Sequence, residues 1–361
     1  MKVLFVIGVM GNGGAERVIA NLSNEFVARG WETRILTIYG SKQDYELDAH
    51  VRIRNIICKC PIRVLRPFER MATIRRYIKQ GEPDVVVSFL ADVNIHVILS
   101  MLGVKKKLVV SERNDPKRDP KQKWMRWFRD RLYGKVDGIV FQTRDAQDYF
   151  DKFLRQGIKT EIIPNPIKNN LPIYNKDTDS NEFITACRLN TQKNLPLMID
   201  AFKMLIDQGL NVRLSIYGEG PERKNLEDYI KKLNLEKRVF LCGFTNKIHD
   251  KMKNAACFVI SSDYEGISNS MLEALAIGIP VVATDCPVGG ARMYITDDVS
   301  GRLVPCGDVA SLADAMYTAV SERERAIAWG EKAFNIRNEL TISKISSLWQ
   351  TYLEGILEKT M

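Results

Sequence analysis

Short apolar runs alternate with amphipathic segments along most of the chain. Residues 2–9 form the first run, and residues 15–27 then carry Val18, Leu22 and Phe26 at helical spacing. A short β-branched run predicts a buried strand, and the helical spacing predicts an amphipathic helix. Further runs that predict strands lie at residues 33–39, 84–90, 108–112, 137–143, 161–163, 183–189, 213–220, 239–244, 257–260 and 279–283. The alternation predicts an α/β protein built from doubly wound parallel sheets.

Length and one polar stretch predict two domains. A chain of 361 residues exceeds a single ordinary core. Residues 168–181, KNNLPIYNKDTDSN, have the composition of a linker. We therefore expect one Rossmann-like domain over residues 1–167 and a second over residues 182–330. A terminal helical segment over residues 331–361 is expected to pack back on the first domain.

Residues 257–284 are the most informative stretch, because they predict a strand, a loop, a helix and a second strand in succession. Ser270 can cap the helix, and Gly278 followed by Pro280 can end it. The loop comes at the carboxyl end of its strand, which is where open α/β sheets bind ligands. This stretch is therefore the first candidate for a binding site.

Two carboxylates flank this loop. Glu265 lies before the predicted helix and Glu273 lies in its first turn. The amides of a helix start favour an anion, and carboxylates beside them can accept hydrogen bonds from sugar or ribose hydroxyls. The alternative is a local role. Ser270 and Glu273 also form a capping box, in which the glutamate turns back to the helix start, and Glu265 is then a solvated loop residue.

Residues 263–276 resemble the EGxxxxxxEAxA signature of the retaining glycosyltransferase family 4. The resemblance extends over nearly the whole chain. It implies the GT-B fold, in which two Rossmann-like domains with parallel sheets face each other across a cleft. It further implies that Glu265 lies near the donor sugar and that Glu273 binds the ribose of the nucleotide.

Two cations follow the first predicted strand of the second domain. Arg188 and Lys193, at a strand end and a helix start, suit a diphosphate, although an ordinary solvated turn is the alternative. The pair resembles the RxxxxK element of the family, which neutralises the leaving diphosphate. The resemblance thus implies Arg188, Lys193 and Glu265 as catalytic residues. It implies substrate contacts at Gly218 and at the helix start, Ser268, Asn269 and Ser270.

The first half carries a second group of candidates. Gly13 and Gly14 lie in a glycine-rich turn that departs from the dinucleotide fingerprint, which argues against a nicotinamide dehydrogenase. The turn resembles the family loop that faces the donor diphosphate. Glu112, Arg113 and Asn114 follow a predicted strand, and the resemblance implies that they lie on the acceptor side. Relatives carry a histidine at the position of Arg113, and a structural role for all three is the alternative.

Positive charge is concentrated in the first half of a chain whose net charge is +9. Residues 52–79 contain a basic helical pattern in which Phe68, Ile74 and Ile78 recur at helical spacing, and residues 105–135 interleave basic residues with Trp124 and Trp127. Such composition is typical of surfaces that bind an anionic membrane. The alternative is that these are core helices whose basic faces are solvated. No motif indicates nucleic acid. No apolar run reaches the roughly 20 residues of a membrane span. We expect a cytoplasmic protein, peripheral at the inner face of the cell membrane.

Cysteine and histidine usage predicts no metal site. The seven cysteines are scattered without a CxxC pair, and the three histidines, at 50, 96 and 249, are isolated. This usage suits a reducing compartment better than a disulfide framework or a zinc centre. We expect no bound cofactor, with the nucleotide sugar acting as a co-substrate.

The resemblance implies a retaining, metal-independent glycosyltransferase. It would move a sugar, from a UDP-hexose or a UDP-N-acetylhexosamine, to a hydroxyl of a glycan or lipid-linked acceptor in bacterial surface polysaccharide synthesis. A sugar-nucleotide epimerase of the same architecture is one alternative, and it would convert a sugar nucleotide without an acceptor. The other alternative is a non-catalytic protein that binds the membrane surface. That alternative would not explain why Arg188, Lys193, Glu265 and Glu273 occur together.

Overall fold

The computed structural model describes residues 1–11 and 13–358, and it divides the chain into two compact units. The first unit comprises Met1–Pro166 with Ile342–Met361, and the second comprises Ile167–Thr341. Residues 331–341, which we expected to pack on the first domain, thus belong to the second unit. They are held there because Ile336 is buried and Arg337 Nη2 donates to the Leu171 carbonyl oxygen at 2.9 Å.

The first unit is built on a seven-stranded parallel sheet with helices on its faces. Its elements are β1 Lys2–Ile7, α1 Gly14–Ala28, β2 Glu32–Thr37, β3 Arg52–Asn55, α2 Arg66–Gly81, β4 Val85–Phe89, α3 Ala91–Met101, β5 Lys107–Ser111, α4 Lys123–Leu132, β6 Gly138–Phe141, α5 Arg144–Asp151 and β7 Lys159–Ile162. The strand order is β3-β2-β1-β4-β5-β6-β7. The central strands β1, β4 and β5 are mostly apolar and buried because both sheet faces are covered, as is usual for parallel sheets.

The second unit repeats this plan with six parallel strands. Its elements are β8 Glu182–Ala186, α6 Leu195–Asp207, β9 Arg213–Tyr217, α7 Arg223–Lys232, β10 Val239–Gly243, α8 Ile248–Met252, β11 Cys257–Ile260, α9 Asn269–Ile277, β12 Val281–Thr284, β13 Arg302–Val304, α10 Val309–Ser321, α11 Arg323–Ala333 and α12 Ile336–Glu339. The strand order is β10-β9-β8-β11-β12-β13. The predicted class of two doubly wound parallel sheets is confirmed.

The last helix, α13 Ile342–Glu358, packs within the first unit. Trp349 is fully buried and its ring stacks on that of Phe89, with centroids 5.6 Å apart. The Tyr352 hydroxyl donates to the Lys159 carbonyl oxygen at 2.8 Å. Gly138 makes this approach possible, because a Cβ atom there would lie 2.2 Å from the Tyr352 hydroxyl oxygen. The end of the chain is therefore part of the core of the first unit.

Each sheet reverses its strand order at one point, between β1 and β4 in the first unit and between β8 and β11 in the second. At such a switch point the connections leave the two neighbouring strands in opposite directions, which opens a crevice at their carboxyl ends. In the second unit the crevice is bounded by the loops that follow β8 and β11. Those loops carry Lys193 and Glu265.

Two local predictions need correction. Helix α9 begins at Asn269, and its cap is Ser268, whose hydroxyl accepts from the Met271 amide at 3.4 Å. Ser270 is thus inside the helix rather than its cap, whereas the predicted end at Gly278, with φ +88°, is confirmed. The core-helix alternative for α2 put Phe68 on the buried face by its spacing, but Phe68 is 63% exposed.

Candidate active site

Hydrogen bonds tie the loop after β8 to the loop after β11. The Asp263 amide donates to the Gln192 carbonyl oxygen at 2.9 Å, and Gln192 Nε2 donates to the Tyr264 carbonyl oxygen at 2.8 Å. Asn194 Nδ2 donates to Asp263 Oδ1 at 2.7 Å. These bonds fix the two loops relative to each other, so the side chains of the two loops keep fixed relative positions.

The centre of this arrangement is an ion pair between Lys193 Nζ and Glu265 Oε1. The two side chains are only 17% and 15% exposed. The Ser262 hydroxyl donates to the same carboxylate oxygen at 3.0 Å. Burial favours the neutral amine, but the neighbouring groups, chiefly the Glu265 carboxylate, together outweigh burial and raise the pKa of Lys193. Lys193 is therefore a fixed positive charge at the switch point.

The start of α9 lies beside this pair. Lys193, Ser268 and Ser270 line one small cavity. The first turn of a helix presents amides without intrahelical acceptors and carries the positive end of the helix dipole. A lysine ammonium and a helix start that share a cavity are suited to an anionic group such as a phosphate.

Two further residues that were predicted to bind the sugar donor, Arg188 and Gly218, follow strands β8 and β9. Arg188 is exposed two residues beyond β8, and its side chain has no hydrogen-bond partner among residues 1–11 and 13–358. Gly218, at φ +130°, follows β9, and a Cβ atom there would lie 1.9 Å from the Cys187 carbonyl oxygen. The missing side chain lets the backbone after β9 pass close to the residue that precedes Arg188.

Glu273, a further predicted contact, is buried on the first turns of α9. Its Oε2 lies 2.9 Å from His249 Nε2, on the short helix α8. We had taken the three histidines as isolated, so the sequence analysis missed His249. No sequence signal marks it, because it lies 24 positions before Glu273 and becomes its neighbour only through the packing of α8 against α9.

The candidates at the end of β5 lie in a buried polar network of the first unit. Glu112 is 1% exposed, and its Oε2 accepts from the Tyr133 hydroxyl at 2.9 Å. Arg129 Nη1 lies 3.9 Å from the same oxygen and is also buried. Burial raises the pKa of Glu112 to about 7, although the Arg129 charge acts in the opposite direction. These contacts are of the kind expected from the structural alternative.

The remaining first-half candidates have different surroundings. The Arg113 guanidinium lies over the ring of Phe89, 4.6 Å from its centroid, and Nη1 donates to Asn165 Oδ1 at 2.8 Å. Asn114 is half-buried, and its side chain accepts from the following amide. Gly13 precedes α1 and Gly14 opens it. The acceptor-side and diphosphate roles of these residues stay predictions.

Comparison with known proteins decides the family. Residues 12–170 match the family described as "Glycosyltransferase Family 4", and residues 166–336 match "Glycosyl transferases group 1". A Campylobacter jejuni protein named N-acetylgalactosamine-N,N'-diacetylbacillosaminyl-diphospho-undecaprenol 4-alpha-N-acetylgalactosaminyltransferase is 30% identical over 353 residues, which cover 92% of this chain and 93% of the relative. The chain belongs to glycosyltransferase family 4. The expectation of a glycosyltransferase is thereby confirmed.

Solved structures agree with the GT-B fold of this glycosyltransferase. The Anabaena protein Alr3699/HepE, crystallised with UDP and glucose, has a TM-score of 0.84 at 18% identity and covers 98% of this chain and 100% of its own. The crystal structure of TarM has a TM-score of 0.80 at 15% identity and covers 98% of both chains. At these identities the likeness concerns the fold alone.

The buried carboxyl group of Glu112 predicts a pH dependence of stability. Its pKa of about 7 in the folded protein exceeds the unfolded value of about 4.5, so the folded protein binds the proton more tightly. Stability should therefore fall as pH rises from about 4.5 to about 7. The Glu112→Gln variant, which carries no charge there, should lose less stability over this range, by on the order of 2 to 3 kcal/mol.

Urea unfolding of both proteins at pH 4.5 and pH 8 measures this difference. The exposed Glu354→Gln is the matched control, and it should follow the wild type. If the wild type and Glu112→Gln lost the same stability between these two pH values, the raised pKa of Glu112 would be contradicted.

Proposed function

We propose that this glycosyltransferase moves a sugar from a UDP-sugar, with retention of anomeric configuration and without a bound metal, to a lipid-linked glycan of bacterial surface polysaccharide synthesis. The observation that carries the proposal is the Lys193–Glu265 pair beside the start of α9 at the switch point of the second sheet.

The donor site would act on the charge of the departing nucleotide. When the bond between sugar and diphosphate breaks, negative charge grows on the diphosphate oxygen. Lys193, Arg188 and the first amides of α9 would stabilise that charge, which lowers the barrier because the charge is greater in the transition state than in the bound donor. The cations needed for this task are side chains, and the proposal therefore requires no metal ion.

Glu273 would accept hydrogen bonds from the ribose hydroxyls. A carboxylate offers about four acceptor sites, so one oxygen can keep His249 while the other receives a hydroxyl. His249 would then act as a positioning residue, since it fixes the carboxylate in one orientation. Glu265 would lie near the sugar itself, as the family resemblance implies, with Lys193 and Ser262 holding its other contacts.

The relatives support a lipid-linked acceptor and an N-acetylhexosamine donor. The Campylobacter relative that is 30% identical is named for the transfer of N-acetylgalactosamine to a diphospho-undecaprenol-linked sugar. A second Campylobacter relative, 23% identical over 97% of both chains, carries a name of the same kind. We therefore place UDP-N-acetylhexosamines first among donors and UDP-hexoses second.

An apolar and basic surface of the first unit would place the enzyme at the membrane. We define it as the exposed part of the segments 57–68 and 121–131. Segment 57–68 lies between β3 and α2 and runs into α2, and segment 121–131 follows β5 and runs into α4, so both segments come from the carboxyl edge of the sheet. Helix α3 packs against both α2 and α4 and thereby connects the two segments. Its exposed apolar residues are Ile57, Ile62, Val64, Leu65, Phe68, Trp124 and Trp127. Its exposed basic residues are Lys59, Arg63, Arg66, Lys121, Lys123 and Arg131.

This composition fits an anionic bilayer. Tryptophan favours the level of the lipid headgroups, and basic residues near an anionic surface contribute about 1 kcal/mol each. Trp124 and Trp127 are 68% and 57% exposed, and the Arg131 guanidinium lies 3.6 Å from the centroid of the Trp127 ring. In residues 1–11 and 13–358 no helix has both the length and the apolar character of a membrane span. The proposed attachment is therefore a surface contact.

Donor binding is tested by calorimetry with UDP in the presence of EDTA. Lys193→Met and Glu273→Gln should each weaken UDP binding by about 10- to 100-fold, because each removes a charge-assisted hydrogen bond. Lys203→Met is the matched control, since Lys203 also pairs with a carboxylate, Asp207, on the outer part of α6. Unchanged affinity in the first two variants, or binding that requires a metal, would contradict the donor site.

The reaction is tested with UDP-N-acetylglucosamine, UDP-N-acetylgalactosamine, UDP-glucose and UDP-galactose and an undecaprenyl-diphosphate-linked oligosaccharide. We expect transfer from one of these α-linked donors to give an α-glycoside, read from the anomeric proton coupling in the NMR spectrum. A β-glycoside would contradict retention. Conversion of the sugar nucleotide in the absence of any acceptor would instead favour the epimerase.

The membrane contact is tested by flotation with vesicles of phosphatidylglycerol and phosphatidylcholine, compared with phosphatidylcholine alone. The double variant Trp124→Ala, Trp127→Ala should lose most of its binding to the anionic vesicles but keep its affinity for UDP. Leu348→Ala, which removes an exposed apolar residue from α13, is the control. Equal flotation of the double variant and the wild type would show that this surface does not bind the membrane.

A further inference from the structure

Two cysteines end neighbouring strands of the second sheet. Strands β12 and β13 are parallel, with Thr284 opposite Val304, and Cys286 and Cys306 each lie two residues further along. Neighbouring strands run about 4.8 Å apart. A disulfide requires Cα atoms about 4.4 to 6.8 Å apart. The backbone thus brings the two residues to a spacing that a disulfide can bridge.

The two sulfur atoms lie next to the start of the loop that follows β11, residues 261–268. Cys286 Sγ donates to the Ser262 carbonyl oxygen at 2.9 Å, and Cys306 Sγ donates to the same oxygen at 3.6 Å. Cys306 Sγ also lies 3.8 Å from the Asp263 carbonyl oxygen. Both thiols thus lie within hydrogen-bond reach of one carbonyl oxygen, which makes them neighbours.

We propose that Cys286 and Cys306 are a modification site that a peroxide closes to a disulfide, and that closure weakens donor binding at the adjacent loop. The effect on the donor rests on the function proposed above. Both thiols are free in this structure, which represents the reduced form.

The two thiols have the complementary surroundings that such a reaction needs. Cys306 is exposed and can meet a peroxide, whereas Cys286 is buried beneath it. The interaction between the two thiols lowers the pKa of Cys306, and the same interaction together with burial raises the pKa of Cys286. Because the thiolate is the nucleophile, Cys306 is the first to react and Cys286 is the resolving partner.

The reaction balances with one molecule of hydrogen peroxide. The Cys306 thiolate attacks a peroxide oxygen, the O–O bond breaks, and after protonation Cys306 is a sulfenic acid and one water is released. Cys286 Sγ then attacks the Cys306 sulfur, the S–OH bond breaks, and hydroxide leaves with the Cys286 proton as a second water. The two thiols are oxidised and the peroxide is reduced.

Closure removes hydrogen-bond donors from the loop that carries Glu265. A disulfide has no S–H group, so the Ser262 carbonyl oxygen would keep only the Thr284 hydroxyl, 2.7 Å away, among its side-chain donors in the described residues. Ser262 is also the residue whose hydroxyl donates to Glu265. A shift at Ser262 would therefore reach the Lys193–Glu265 pair directly.

The test treats the full-length protein with hydrogen peroxide and follows three readouts. Non-reducing peptide mapping should find a 286–306 link with the loss of two hydrogens. Hydrogen exchange of the amides of residues 261–266 should become faster. UDP affinity should fall by about fivefold, the effect of losing one hydrogen bond, and dithiothreitol should restore it. Cys306→Ser should show none of these responses, whereas Cys58→Ser, in the first unit, should respond like the wild type.

The outcomes separate this site from the donor proposal. No 286–306 link, or a link that leaves both the exchange of residues 261–266 and UDP affinity unchanged, would overturn the inference. If the reduced wild type does not bind UDP at all, the proposed function fails. The link and the exchange rates then still decide whether the thiol pair controls this loop.

Discussion

The Lys193–Glu265 ion pair is the interaction on which the rest of the donor site depends. Removing two charges from water costs several kcal/mol each, and the cost is recovered only when the partners are held in good geometry. The bonds of Gln192 and Asn194 to the loop after β11 supply that geometry. They explain why the two loops keep fixed relative positions, and why loss of either partner should leave an unpaired charge that is largely buried.

In both units the doubly wound sheet places polar residues at the carboxyl ends of its strands, but these residues have different surroundings in each unit. In the second unit the carboxyl ends of β8 and β11 carry a charged pair that shares a cavity with a helix start. In the first unit the residue after β5, Glu112, lies in a closed network with Tyr133 and Arg129. A polar residue at a strand end can therefore either face a ligand or complete a polar core, and only its neighbours in space decide which.

This distinction marks what the sequence could predict. Strands such as β4 and β11 were predictable because a parallel sheet covered on both faces requires continuous apolar runs. Lys193 and Glu265 could each be named in advance, because each follows a strand of the same sheet and belongs to a sequence element that resembles one of the family, but their ion pair was not predicted. By contrast, the partner of Glu273 is His249, and no period or spacing relates two residues that meet by the packing of α8 on α9. Phe68 shares the helical spacing of Ile74 and Ile78 but is exposed, because helical spacing defines a face and does not say how far that face is covered.

The most direct test of the account is a crystal structure of the protein with UDP. We predict the diphosphate between Arg188, Lys193 and the first amides of α9, and the ribose hydroxyls at Glu273. The Glu273 carboxylate should keep its contact with His249. A nucleotide bound elsewhere on the second sheet, or a diphosphate that touches neither cation, would contradict the assignment of the donor site.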